Sequence, residues 1–317
     1  MRLLIFSDIH NNLDALNELR RVESNDYDAL VVAGDVGNDI AADFFSVADS
    51  FECPAFYVHG NWDDEQGYTP SASTRCVLLH HQIETCAGYY FAGFSGHPWA
   101  WGKNPDYQLL FNKITEKHSI TLERHEKIKA DAIHRAVPIE EEFKARGKLL
   151  LAKSKRKNLS PSAHRNSRQK LRNWRQKELE KIHLELSEFR RSTTYLAYES
   201  DLRQCSELAH DSNRKTLIDL VKCSGLPSDR LILVTHERQH KLADDGIVPL
   251  LHVFGHRHRF EFSKFRGSYY LNGASLDPVP QMTETGIAYT PSRYCRVVIE
   301  GQTVNVTECI LKKNGNV

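Results

Sequence analysis

Five short clusters of acidic, amide and imidazole residues occur in order along the chain, and nearly every one follows an apolar run. They are Asp8 and His10 in SDIH, Gly34 and Asp35 in AGDVG, Gly60 and Asn61 in HGNWD, His236 in VTHE, and His256 with His258 in GHRH. A polar cluster behind an apolar run reads as a loop at the carboxyl end of a strand. Parallel strands deliver such loops to one edge of a sheet, so residues far apart in sequence can converge on one crevice.

The rest of the pattern agrees with that placement. Apolar runs predict strands at 3–6, 29–33, 55–58, 77–79 and 89–94, with an amphipathic helix at 13–22. Strand patterns resume only at 231–234, then at 250–254, 269–271, 294–299 and 304–307. The expectation is an α/β fold interrupted by a helical insert, with 1–99 and 226–317 forming one discontinuous catalytic domain and 100–225 the insert. Within the insert, Leu171, Trp174, Leu179, Ile182, Leu186 and Phe189 recur at mostly three- and four-residue steps, which lines one face of a helix. Ser160, Pro161 and Ser162, within 158–167, suggest a turn between two helical arms.

Composition narrows the class. At 317 residues and 40% hydrophobic content the chain can bury a substantial core. No run of about 18 apolar residues occurs, and the start MRLLIFSDIH lacks an apolar stretch with a small-residue cleavage site, so the expectation is a soluble, cytoplasmic protein without a membrane partner. The seven cysteines are scattered without a CxxC pair, which argues against a disulfide framework and a zinc ribbon. The net charge of +1 conceals a strong asymmetry. Residues 144–177 hold 13 Lys or Arg and no Asp or Glu, leaving 29 basic against 41 acidic residues elsewhere. Such a run is either a solvated helical arm or a surface for a polyanion, with nucleic acid the obvious candidate partner through 144–177.

The motif residues suit divalent cations. Mn, Fe, Ni and Zn accept mixed carboxylate and imidazole ligands, and two ions about 4 Å apart need a carboxylate between them to screen their repulsion, for which Asp35 is the natural candidate. The ordered set D-x-H, G-D, G-N-x-D, H, G-H-x-H resembles the calcineurin-like metallophosphoesterase family over about 1–97 and 228–310, including the stretch YLNGASLD. The resemblance implies a two-sheet β-sandwich flanked by helices, here with a large inserted helical hairpin or cap. It also implies two divalent metal ions, Mn favoured, with Asp8, His10 and His258 on the first, Asn61, His236 and His256 on the second, and Asp35 on both. A bridging hydroxide would then attack phosphorus.

One position departs from that pattern. Where many family members carry a histidine that protonates the leaving oxygen, this chain has Trp62, which either lines the cleft as a stacking platform or fills core. Asp63 matches the following acidic position. His97, in GFSGHP, is the candidate substitute proton donor, with a turn role before Pro98 as the alternative. His59, at a strand end, reads as structural. Asp35, Asn61, His97 and Asp63 are thus the candidate catalytic residues.

Three functions remain open on this reading. The favoured one is hydrolysis of a phosphodiester in a nucleotide or nucleic acid held by the basic insert. The others are a phosphatase for small phosphomonoesters or phosphoproteins with the insert as a specificity cap, and a non-catalytic, metal-bound interaction module.

Overall fold

β1 (Arg2–Phe6), β2 (Ala29–Ala33), β3 (Ala55–Val58) and β4 (Cys76–Leu78) lie parallel, each behind a run that is apolar almost throughout. Such runs arise because parallel strands are covered on both faces. The computed structural model describes residues 1–63, 75–96, 105–157, 161–283 and 286–311. β13 (Arg293–Glu300) and β14 (Thr303–Ile310) extend the first sheet antiparallel, in the order β14-β13-β1-β2-β3-β4. The second sheet has the order β5-β6-β7-β8-β10-β9, from β5 (Gln82–Cys86), β6 (Tyr89–Phe94), β7 (Leu231–Thr235), β8 (Leu251–Phe254), β9 (Phe260–Phe265) and β10 (Ser268–Gly273). Its four middle strands are parallel. A small two-stranded ladder, β11 (Pro280–Thr283) with β12 (Gly286–Tyr289), follows.

Alternation along the strands assigns the layers. Leu3, Ile5, Val31 and Val58 of the first sheet meet Phe91, Ile232, Val234 and Val253 of the second in the sandwich core. From the opposite face of the first sheet, Leu4, Phe6, Val32 and Tyr57 pack on α1 (Leu13–Val22) and α2 (Ala41–Asp49) through Leu16, Leu19, Phe44 and Phe45. Outside the second sheet, Ala92, Phe94 and Leu233 are covered by Leu217, Ile218 and Val221. The two-sheet α/β expectation holds. The fold adds α2, β5, β9, β11 and β12, which the apolar runs did not show.

Contacts divide the chain into two compact units, Met1–Tyr107 with Ser206–Val317, and Gln108–Cys205. α3 (Pro105–Lys117), α4 (Ser119–Lys157), α5 (Pro161–Arg190) and α6 (Thr193–Ser224) span the region between β6 and β7. In the second unit α4 and α5 pair along their length, with Arg175 on Glu140 at 2.5 Å and the His125 and Phe189 rings 6.1 Å apart. Of the turn expected within 158–167, residues 158–160, Ser160 among them, lie outside the described residues, and 162–167 are helical. Pro161 starts α5, where a missing N–H costs nothing because no intrahelical acceptor faces that position. Trp174, read from sequence beside the basic run, is half-buried with the Arg146 guanidinium 4.3 Å over its ring. Among the described residues the seven cysteines are free thiols, and no helix is long and apolar enough to cross a membrane.

Candidate metal centre

The loops after β1, β2, β3, β7 and β8 bring the motif residues together. Asp8, His10, Asp35 and His258 each offer a ligand atom within 4.8 Å of one another, and Asp35, His236 and His256 do the same. Asp35 is common to both groups. Asn61, on the loop after β3, places its Oδ1 3.1 Å from His236 Nε2 and so stands at the second group.

The backbone there is forced into an unusual shape. Asp8, His10, Asp35, His256 and His258 have φ of 51°, 49°, 56°, 69° and 50°, a left-handed conformation that costs a non-glycine residue about 1–3 kcal/mol. Hydrogen bonds between the loops hold it. Asp8 N–H donates to Gly34 O at 3.0 Å, and the N–H groups of Ile9 and His10 both donate to Asp35 O, at 2.7 and 3.0 Å. The glycines are sterically required. A Cβ on Gly60 would lie 2.0 Å from Asp35 Oδ1, and one on Gly34 2.7 Å from His236 Nδ1.

Partners outside the groups orient the donors. His236 is fully buried, and its Nδ1–H donates to Ala33 O at 2.8 Å, which turns Nε2 toward Asn61 and Asp35. Burial alone would lower the His236 pKa, but the adjoining Asp35 carboxylate pushes it up to about 9. Asp35 responds in the opposite sense. Burial would raise its pKa, yet hydrogen bonds with His10 and His236 hold it well below the carboxylate range. Asp8 is buried, accepts the Ser7 hydroxyl at 2.6 Å and the His256 N–H at 3.1 Å, and lies 3.3 Å from His258 Nε2. That hydrogen bond to Asp8 raises the His258 pKa, whereas burial lowers that of His256.

Asp63 is buried and works as a clamp. Its Oδ2 accepts the N–H groups of Asp35 (2.9 Å) and Gly60 (2.7 Å), and its Oδ1 that of Gly37 (2.8 Å). Trp62 is 51% exposed, which excludes a core role, and stacks on His10 with ring centroids 4.4 Å apart. His59 is buried beside Tyr57, its N–H donating to Ser95 Oγ. His97 lies outside the described residues. One residue not singled out from sequence, Asp277, faces His10 Nδ1 at 3.7 Å and accepts the Asn12 side-chain amide at 3.0 Å. Its signal was the YLNGASLD stretch in which it stands.

The donor set fits divalent cations. Carboxylates and imidazoles converge in two overlapping groups, one carboxylate belongs to both, and hydrogen bonds from the protein preset the donors' orientation.

Comparison with known proteins agrees with the motifs. The model of the calcineurin-like phosphoesterase superfamily domain matches residues 1–144. Residues 1–144 are thus similar to a calcineurin-like phosphoesterase domain, and that match supports a metal-dependent phosphoester hydrolase. No curated protein matches the sequence. Similar solved structures include a predicted phosphoesterase of Streptococcus pneumoniae TIGR4, at 10% identity over 98% of this chain and 88% of that one, with a TM-score of 0.36. Phosphopantetheinyl hydrolase of Mycobacterium tuberculosis aligns at 12% identity over 86% and 88%, with a TM-score of 0.38. Wild-type Vps29 complexed with zinc, from Entamoeba histolytica, aligns at 10% identity over 99% and 95%, with a TM-score of 0.33. Likenesses this distant say nothing about substrate.

Proposed function

We propose that this chain hydrolyses phosphodiesters in nucleotides or nucleic acid, using two divalent ions held by Asp8, His10, Asp35, Asn61, His236, His256 and His258. Mn is the favoured metal, with Fe, Ni and Zn as alternatives. The observation that carries the reading is the membership of Asp35 in both ligand groups. Such ions supply Lewis acidity to phosphate oxygens and to water. The protein's own groups do the rest. Asp35 links the two groups, His236 keeps one tautomer through Ala33, and Asp63 positions Asp35 and Gly60 by their backbone N–H groups. His97 remains the candidate proton donor to the leaving oxygen.

In this reading residues 1–99 and 226–317 form the catalytic domain and 100–225 an insert that adds affinity for a polyanion. Arg165, Arg168 and Arg172 are exposed on α5 at three- and four-residue steps, so they share one helix face. Cations in such a row bind successive phosphates with a strong salt dependence. A second reading draws on the groove between α4 and α5, about 990 Å³, where Phe143, Leu150, Leu171 and Leu179 supply an apolar lining. Leucines suit a protein or small-ester contact better than a nucleic acid. They favour a phosphatase for phosphomonoesters or phosphoproteins with the insert as cap.

Assays of Mn-loaded protein on p-nitrophenyl monoesters and diesters separate the two, and a higher kcat/KM on the diester is expected. Replacing Arg165, Arg168 and Arg172 by alanine should weaken cleavage of an oligonucleotide while sparing a small diester. A clear monoester preference would transfer the assignment to the second reading.

A further inference from the structure

The geometry points to Trp62 as a specificity-determining residue, a fixed aromatic platform that takes the nucleobase of the substrate. This rests on the phosphoesterase reading above and names the group that the site recognises beside phosphorus.

Trp62 is 51% exposed although the loop carrying it is fastened on both sides. Its own N–H donates to Asp35 Oδ1 at 2.8 Å, and the next residue, Asp63, is buried with its carboxylate on three backbone N–H groups. The main chain at Trp62 therefore cannot withdraw toward the core without breaking those bonds. The exposure is built into the loop.

One face of the indole is already committed. It lies on the His10 ring with planes 21° apart, and His10 is held in turn by Asp35 at 3.2 Å and faces Asp277 at 3.7 Å. That backing fixes the plane of the indole before any ligand arrives. The aromatic surface left in solvent is suited to stacking, and every nucleobase has a π-face to offer. Placement selects the ligand further. Trp62 follows Asn61 and is tied to Asp35, the residue common to both ligand groups, so a ring stacked on it belongs to a molecule whose phosphate sits at those groups. The indole N–H is no acid near neutral pH, so the residue contributes binding and not proton transfer.

The test is the affinity of Mn-loaded protein for AMP and for ribose 5-phosphate, measured by titration calorimetry, which differ by the base alone. AMP should bind about tenfold more tightly, the size of one base–aromatic stack. Trp62→Ala should reduce that ratio below about twofold, and Trp62→Phe, which keeps a ring, should retain most of it. Equal affinities in the natural protein, a ratio unchanged in Trp62→Ala, or failure of both ligands to bind would overturn the proposal. A base preference in a protein that hydrolyses no ester would support the platform and sink the phosphoesterase reading alone.

Discussion

The backbone N–H of Asp35 donates to the Asp63 carboxylate at 2.9 Å, so the residue shared by both ligand groups is positioned from the neighbouring motif loop. The same carboxylate takes the N–H groups of Gly37 and Gly60, fastening the loops after β2 and β3 together. Asp63→Asn keeps the shape but turns an amide NH₂ toward buried donors. We expect a loss of about 1–3 kcal/mol in stability, the cost of an unmet buried hydrogen bond, read from urea unfolding. An unchanged midpoint would show that the clamp is dispensable.

Gly60→Ala tests the packing of the centre itself. The added Cβ would fall 2.0 Å from Asp35 Oδ1, which accepts the Trp62 N–H, and 2.6 Å from its backbone nitrogen, which donates to Asp63, so neither can move without breaking a hydrogen bond. Metal affinity, followed by calorimetry, should fall at least about tenfold, as when a group orienting a ligand is lost. Unaltered affinity would mean that Asp35 is not a ligand in the position observed.

Acid stability should report Glu23. This carboxylate is buried and accepts hydrogen bonds from Tyr27, Tyr294 and Arg296. Burial would raise its pKa, but the Arg296 and tyrosine hydrogen bonds bring it below the usual value. A depressed folded-state pKa stabilises the native state above the free carboxylate value near 4.3, and that stabilisation is lost as pH falls through the folded value. The advantage of the natural protein over Glu23→Gln in urea midpoint should shrink below about pH 4. A constant difference from pH 7 to pH 3 would refute the assignment.

His252 acts in a higher window. It is fully buried on β8, with Nε2 2.9 Å from Thr235 Oγ1, and its Nδ1 has no hydrogen-bond partner among the described residues. Burial pushes its pKa down to about 3, so the unfolded chain binds the proton first as pH drops from about 6.5. Stability is full above that value and declines toward pH 3, by about 2 kcal/mol at pH 5 from this group. Thr235 donates to Glu237 O and keeps a partner without the imidazole, so His252→Phe should fold and lose this slope. An identical pH slope in the variant would rule the residue out.

Much of this fold was legible because buried parallel strands announce themselves as unbroken apolar runs. The expected strands at 29–33 and 55–58 coincide with β2 and β3, and the amphipathic stretch at 13–22 is α1, capped where Asn12 Oδ1 accepts the Ala15 N–H. The sequence of α2, AADFFSVAD, hid its helix because the adjacent Phe44 and Phe45 are both buried and blur the period. β5 and β9 are edge strands, QIETC and FEFSKF, whose residues are half-exposed and show no apolar run. In the site, residue types and order marked which side chains to watch. The contacts of Asp63 with three amides, and of Asp277 with His10, depend on loops from different strands and left only an acidic residue in the sequence.

The most direct test counts ions. Protein freed of metal by chelation and titrated with Mn should take up two ions per chain, and Asp35→Asn should hold at most one and lose diester hydrolysis by about a hundredfold or more. Retention of both ions and of full hydrolysis in Asp35→Asn would contradict the account.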